Sequence, residues 1–361
     1  MLNNEVYSQQ QQGPYEDFAL GDFELERGGL IPDCRLAFAT TGTLNAARDN
    51  AILFPHMFSG TSKHMQMYVG GGLALDPARY FVIFPNMLGN GVSSSPHNSS
   101  APIAMADFPP VMIGDDVRAQ ERLVRERFGI TRLELVLGWS MGAQQTYEWA
   151  VRFPHMVKRA APIGGTAQGT PHNYLMVQNA MDLIRTDPAF ADGRYNAPHA
   201  VGAGLKLLAH FFAQIGLSKE FYTAEDWRGI GFNSLEHFMR DFWEAWFAPM
   251  DPNALLCLLY KWQHADVARH TGGDLGAALA RITAVVWNMP FAQDMMFTVD
   301  ECRAEHALTP RGAFKPIPTR WGHFGMLGVA PADKAFIDAT IKELLAVPVG
   351  MKRIDRVREL H

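Results

Sequence analysis

Cysteine is scarce: the 361 residues include only Cys34, Cys257 and Cys302. An odd number at wide separation excludes a disulfide framework and fits a reducing compartment, so a cytoplasmic location is expected. No Cys or His spacing of the zinc-binding kind occurs, and no metal is expected. Positive charge is not in excess. The 32 Lys and Arg against 37 Asp and Glu leave a net charge of −5, which offers no basic field to nucleic acid or an anionic membrane. No apolar run reaches 18 residues, and the polar, glutamine-rich stretch from Met1 to Gly13 lacks the apolar core of a signal peptide. It is expected to be a flexible leader. Gly70-Gly71-Gly72 follows no strand and lacks the spacing of a dinucleotide loop, so no cofactor is expected. What remains, at 48% hydrophobic and 19% charged residues, is an ordinary globular chain long enough to bury a large core.

The stretch that carries chemistry is Gly138-Trp139-Ser140-Met141-Gly142, directly after the apolar run Leu133-Glu134-Leu135-Val136-Leu137. A strand breaking into Gly-x-Ser-x-Gly and then a helix is a nucleophile elbow. The serine sits in a strained backbone conformation, and side chains at the two glycine positions would collide with the neighbouring strand and helix. The helix expected from Ala143 to Phe153, stopped by Pro154, points its N-terminal N–H groups at Ser140.

The rest of the chain alternates strands with helices. Phe23 to Thr43 contains two β-type runs around Gly28-Gly29, expected as a hairpin at an antiparallel edge. Ala51 to Phe58, Tyr80 to Asn86, Leu133 to Leu137 and Val157 to Ile163 are short apolar runs of the buried parallel type. Asp116 to Phe128 has helical spacing and ends at Gly129. From Thr166 to about Ala280 no convincing strand occurs. There Leu235, Phe238, Met239, Phe242, Trp243, Trp246 and Phe247 recur on one helical face, which packs the cap together or roofs a pocket. Strand character resumes at Ile282 to Trp287, and Pro331 to Leu345 reads as the final helix. This pattern describes an α/β-hydrolase fold: a mostly parallel sheet flanked by helices, with core residues 14–165 and 281–350 and a helical cap, 166–280, inserted between two strands.

A serine hydroxyl needs a base, and the base needs an orienting acid; in this fold they follow in the order Ser, acid, His. Asp294, in the loop after the resumed strand, is the expected acid, with Asp300 and Glu301 as nearby competitors. His323, between Gly322 and Phe324 before the last helix, is the expected base. His306 lies in a charged segment expected to be exposed. The backbone N–H groups of Phe58 and Met141 are the expected oxyanion donors. His56 is expected to support the loop that carries Phe58. Met57, Trp139 and Phe324 are expected to line the substrate pocket with Phe58.

Taken with Asn86-Met87-Leu88-Gly89, Asp116-Val117-Arg118-Ala119-Gln120, Glu148-Trp149-Ala150, Phe153-Pro154, Asp187-Pro188 and Gly193-x-Tyr195, these residues make the chain resemble the homoserine O-acetyltransferase family over roughly residues 23–345. The resemblance implies an acyl-enzyme on Ser140 and dimerisation through cap helices. It breaks at the substrate side. The family usually follows its histidine with an aspartate for the substrate ammonium, where this chain has Phe324. The family's cap arginine for the substrate carboxylate, after a Gly-Leu, has no counterpart beside Gly204-Leu205, where only Lys206 and His210 are near. The elbow also carries Trp139 and Ala143 where the family has smaller glycines. The expected activity is therefore hydrolysis of an ester or amide of a fairly apolar acid or alcohol, a small molecule. The alternatives are acyl transfer to a less polar acceptor or, remotely, non-catalytic binding.

Overall fold

The computed structural model describes residues 2–197 and 199–349; Met1 and the expected core boundary at residue 350 lie outside them. Eight strands form one sheet in the order β1-β2-β4-β3-β5-β6-β7-β8. The hairpin β1 (Glu16–Glu24) and β2 (Leu30–Thr41) turns at Gly28 and Gly29, whose φ angles of +83° and +93° are open to glycine but strained for other residues. β2 pairs antiparallel with β4 (Phe81–Pro85). From there β3 (Ala51–Leu53), β5 (Leu135–Trp139), β6 (Arg159–Ile163), β7 (Val285–Asn288) and β8 (Gly312–Phe314) run parallel. Every residue of β4, β5 and β6 is buried. Helices cover both faces, which is why these strands read as unbroken apolar runs rather than alternating ones.

Two strand expectations change. The run expected from Ala51 to Phe58 is strand only as far as Leu53. Pro55 has no N–H for a ladder, and residues 54–58 turn away to approach Ser140. β8, three residues at the sheet edge, gave no sequence signal because its residues are half-buried or exposed.

Helix α1 (Ile113–Arg122) widens into a π turn before Gly129, and α2 (Met141–Arg152) follows the elbow. Between β6 and β7 the chain is helical: α3 (Pro171–Arg185), α4 (Gly202–Gly216), a run over 235–247 with a π turn at Met239–Glu244, α5 (Pro252–Gln263) and α6 (Leu275–Ala280). α7 (Val299–Leu308) and α8 (Pro331–Ala346) complete the core. A buried ion pair ties the helical stretch between β6 and β7 to α1. Lys261 Nζ of α5 donates to Asp116 Oδ2 at 2.7 Å and to the Leu88 carbonyl, while Leu88 N–H donates to Asp116 Oδ1 at 2.8 Å. Neither charged side chain has any solvent exposure.

The leader expectation fails for residues 2–12, which fold against the rest. The Tyr7 ring stacks on His97 at 5.1 Å and its Oη accepts from Asp251 N–H at 3.0 Å. Asn4 Nδ2 donates to the Pro249 carbonyl at 3.1 Å, and Gln12 Oε1 accepts from Thr61 Oγ1 at 2.8 Å. The segment is held by these polar contacts, the Tyr7 stack and Leu2 against the core, too few apolar anchors to leave a periodic pattern.

Candidate active site

β5 delivers Ser140 to the carboxyl edge of the sheet, where open parallel sheets bind ligands. Ser140 has φ +59° and ψ −120°, a strained conformation that the close packing of the elbow enforces. A Cβ on Gly165 would lie 2.7 Å from the Ser140 carbonyl oxygen, and one on Gly142 would lie 2.5 Å from that of Pro55. The turn therefore fits only with glycine at these points. Ser140 is 2% exposed and caps the N-terminus of α2.

The loops after β7 and β8 bring Asp294 and His323 together. His323 Nδ1–H donates to Asp294 Oδ2 at 2.7 Å, and both side chains are buried. Asp294 Oδ1 accepts from Met296 N–H at 2.8 Å and Phe297 N–H at 3.1 Å. The carboxylate is thus fixed from one side and leaves Oδ2 for the imidazole, which places the proton on Nδ1 and the lone pair on Nε2. The competitors are elsewhere. Glu301 accepts from Thr298 N–H, Thr298 Oγ1 and Thr170 Oγ1 at 2.9, 3.0 and 3.0 Å as the cap of α7, and Asp300 is exposed on the same turn. His306 is half-buried on the Phe314 ring at 5.5 Å rather than exposed. Burial holds its imidazole below the usual histidine range.

His323 and Ser140 line one cavity. No hydrogen bond joins the Ser140 hydroxyl to His323 Nε2 among the described residues; catalytic contacts of this kind often tighten only around substrate.

Loop 54–60 carries Phe58. His56 is fully buried, and its Nδ1–H donates to the Met57 carbonyl at 2.7 Å while Nε2 accepts from Met87 N–H at 2.9 Å. Burial pushes its imidazole down to about 3, which keeps it neutral and fitted to that double contact. Its place is beneath the loop, as expected. Beside it, Gln145 Nε2 reaches the His56 and Met141 carbonyls at 3.4 Å each. Gln145 Oε1 in turn accepts from Gln120 at 2.6 Å. Neither Phe58 N–H nor Met141 N–H has an acceptor within the described residues.

The cavity has a volume of about 80 Å³. Met57, Phe58, Trp139 and Phe324 line it. Phe324 packs on Trp139 at 5.7 Å and on Trp243 at 5.0 Å. Phe58 packs on Phe212 of α4 at 5.2 Å and on Trp262 of α5 at 5.9 Å. Within the run over 235–247 the two readings of the aromatic face divide by residue. Phe238 is buried inside the cap, whereas Phe242, Trp243, Trp246 and Phe247 roof the cavity. Phe212, Trp262, Met296 and Leu327 also line it and were missed, since helical periodicity marks a buried face without saying what that face meets. No Arg, Lys, Asp or Glu is among the lining residues. Lys206 and His210 pair instead with Glu244 at the surface, at 3.4 and 2.8 Å. No group of three or more His, Cys, Asp or Glu among the described residues could hold a metal ion.

The family model for the alpha/beta hydrolase fold matches residues 50–247. The chain belongs to the α/β-hydrolase family. An ethyl acetate hydrolase of Pseudomonas veronii is 47% identical to this hydrolase-family chain over 346 residues, 96% of it and 99% of that protein. The crystal structure of an acetylester hydrolase from Corynebacterium glutamicum superposes with a TM-score of 0.95 at 49% identity, covering 96% of this chain and 100% of that one. A homoserine O-acetyltransferase of Leifsonia xyli subsp. xyli is 31% identical over 358 residues, 91% of this chain and 88% of that protein. The resemblance read from the motifs is thus present, at lower identity than the similarity to the two ester hydrolases.

Proposed function

We propose that this hydrolase-family protein cleaves esters of short carboxylic acids with small alcohols through an acyl-enzyme on Ser140. The supporting observation is the cavity itself: Ser140 and His323 open into about 80 Å³ walled by aromatic and aliphatic side chains with no charged partner for an amino-acid substrate. A small uncharged ester suits such walls, whereas a zwitterion would be stripped of water there without compensation. The similarity to proteins named ethyl acetate hydrolase and acetylester hydrolase agrees with this size and polarity.

In this mechanism His323 Nε2 takes the Ser140 proton as Oγ attacks the ester carbonyl, and the N–H groups of Phe58 and Met141 hold the oxyanion. Asp294 stabilises the imidazolium and keeps it oriented. The proton passes from Nε2 to the departing alkoxide, which leaves as alcohol. His323 then deprotonates a water that attacks the acyl-enzyme, and collapse releases the acid and returns the proton to Ser140. Met57, Trp139 and Phe324 shape the pocket, and residues 166–280 act as its lid.

We further place the protein in the cytoplasm, since all three cysteines are unpaired, and assign it a homodimer through α3 and α4, which expose Tyr174, Leu175 and Leu207.

The test is turnover of ethyl acetate and p-nitrophenyl acetate by wild type and Ser140→Ala, with fluorophosphonate labelling of Ser140. Loss of turnover and labelling in a folded Ser140→Ala supports the reading. Undiminished turnover, or efficient acetylation of homoserine from a thioester by wild type, overturns it.

A further inference from the structure

The turn that carries the Phe58 N–H holds a serine where the backbone favours glycine. The Met57 carbonyl accepts from Gly60 N–H at 3.1 Å, which closes a four-residue turn. Ser59, its second corner residue, has φ +57°, and Phe58 is not among the residues of positive φ. This is the sign pattern of a type II turn, whose second corner ordinarily takes glycine or asparagine. Strain kept at such a point by the surrounding structure tends to have a use.

The use is visible in the cap. Ser59 Oγ accepts a hydrogen bond from Trp246 Nε1 at 3.0 Å. The Trp246 ring also rests on His64, in the short helix Ser62–Met65 that follows this loop, 5.0 Å between centroids. His64 Nδ1 in turn accepts from Thr61 N–H at 3.1 Å. Ser59 and Trp246 both line the cavity, so the contact joins the lid run to the residue next to the expected oxyanion donor.

We propose that Ser59 is a positioning residue: by accepting the Trp246 indole N–H it holds the Phe58 N–H in place over Ser140, so that the oxyanion donor is fully set only when the lid is seated. This rests on the assignment of Phe58 as a donor made under the proposed function. A glycine would relieve the strain but could not take the indole bond. Asparagine tolerates the same backbone and offers an oxygen acceptor.

The experiment is a double-mutant cycle on p-nitrophenyl acetate hydrolysis with Ser59→Ala, Trp246→Phe and both together, alongside Ser59→Gly and Ser59→Asn. Trp246→Phe keeps an aromatic ring at the position and removes the donor together with part of the cavity wall, so the coupling in the double variant, rather than the single loss, carries the test. Ser59→Ala and Trp246→Phe are each expected to lower kcat roughly tenfold with KM within about twofold, less than the 10²–10³-fold loss of a donor outright. The double variant is expected to be no slower than either single one. Ser59→Gly should unfold at the same temperature as wild type or higher and still lose about tenfold in kcat, whereas Ser59→Asn should recover most of it. Losses that multiply in the double variant, a change in KM alone, or a Ser59→Gly variant as fast as wild type would each overturn the proposal. Persistent turnover by Ser140→Ala would instead overturn the underlying reading, so the two failures are distinguishable.

Discussion

Replacing Asp294 by asparagine exchanges one oxygen for an amide nitrogen, and the surrounding hydrogen bonds decide which way that amide must face. Oδ1 accepts two backbone N–H groups, from Met296 at 2.8 Å and Phe297 at 3.1 Å. An amide NH₂ turned toward them would set donor against donor, so the NH₂ must take the place of Oδ2, 2.7 Å from His323 Nδ1. There it can only donate. The imidazole must then accept on Nδ1 and carry its proton on Nε2, which faces the cavity with nothing left to accept the Ser140 proton. In serine hydrolases built this way, the wrong tautomer costs on the order of 10⁴ in kcat, about 5.5 kcal/mol of barrier. The fold should be little affected, because the shape and most of the hydrogen bonds are retained. The assay is steady-state hydrolysis of p-nitrophenyl acetate, with urea unfolding as the control for integrity. Asp294→Asn within about tenfold of wild type, at unchanged stability, would refute the tautomer argument and return the acid role to Asp300 or Glu301.

Other outcomes follow from the same geometry. Lys261→Met leaves the buried Asp116 carboxyl with only the Leu88 N–H as partner. It is expected to cost about 3–5 kcal/mol in urea unfolding, less at pH 5 than at pH 8 because burial has pushed Asp116 up to about 6. Adding Asp116→Asn should restore part of the loss. Glu305 accepts from Ala167 and Gln168 N–H at 2.7 and 3.0 Å, yet burial pushes its carboxyl from 4.5 up to about 8. Between those values the folded chain holds a proton that the unfolded chain has lost, so stability falls as pH rises through the window. Relative to Glu305→Gln, wild type should lose about 3.5 kcal/mol between pH 5 and 8; a pH-independent difference would show that the carboxyl is already ionised at pH 5. Trp243→Ala removes a wall that packs on Phe324 at 5.0 Å. The ratio of kcat/KM for butyrate over acetate esters should rise roughly tenfold, as two more buried methylenes contribute about 1.6 kcal/mol. An unchanged ratio would place the acyl group elsewhere in the cavity.

Local rules made the elbow legible. Gly138, Ser140 and Gly142 are dictated within five residues by steric need, and the runs that became β4, β5 and β6 were visible because strands buried on both faces must be apolar throughout. Chain order supplied Asp294 and His323, since the fold leaves few loops at the carboxyl edge of the sheet. The motifs at Asp116, Gln120 and Asp187 were legible only as resemblance. In the structure Asp116 ties down the Leu88 backbone, Asp187 caps the Gly204 N–H at 2.8 Å, and Gln120 supports the Gln145 side chain.

The sequence by itself therefore determined the fold, the candidate nucleophile and the loss of partners for a zwitterionic substrate, because each is a property of residue type at one position or of local spacing. Only the tertiary structure decided the size of the cavity, the residues that close it and the fate of residues 2–12. Those depend on contacts between segments far apart in the chain, such as Phe58 with Phe212 and Trp262, or Ser59 with Trp246, and the pattern of one segment alone does not name the partner it meets.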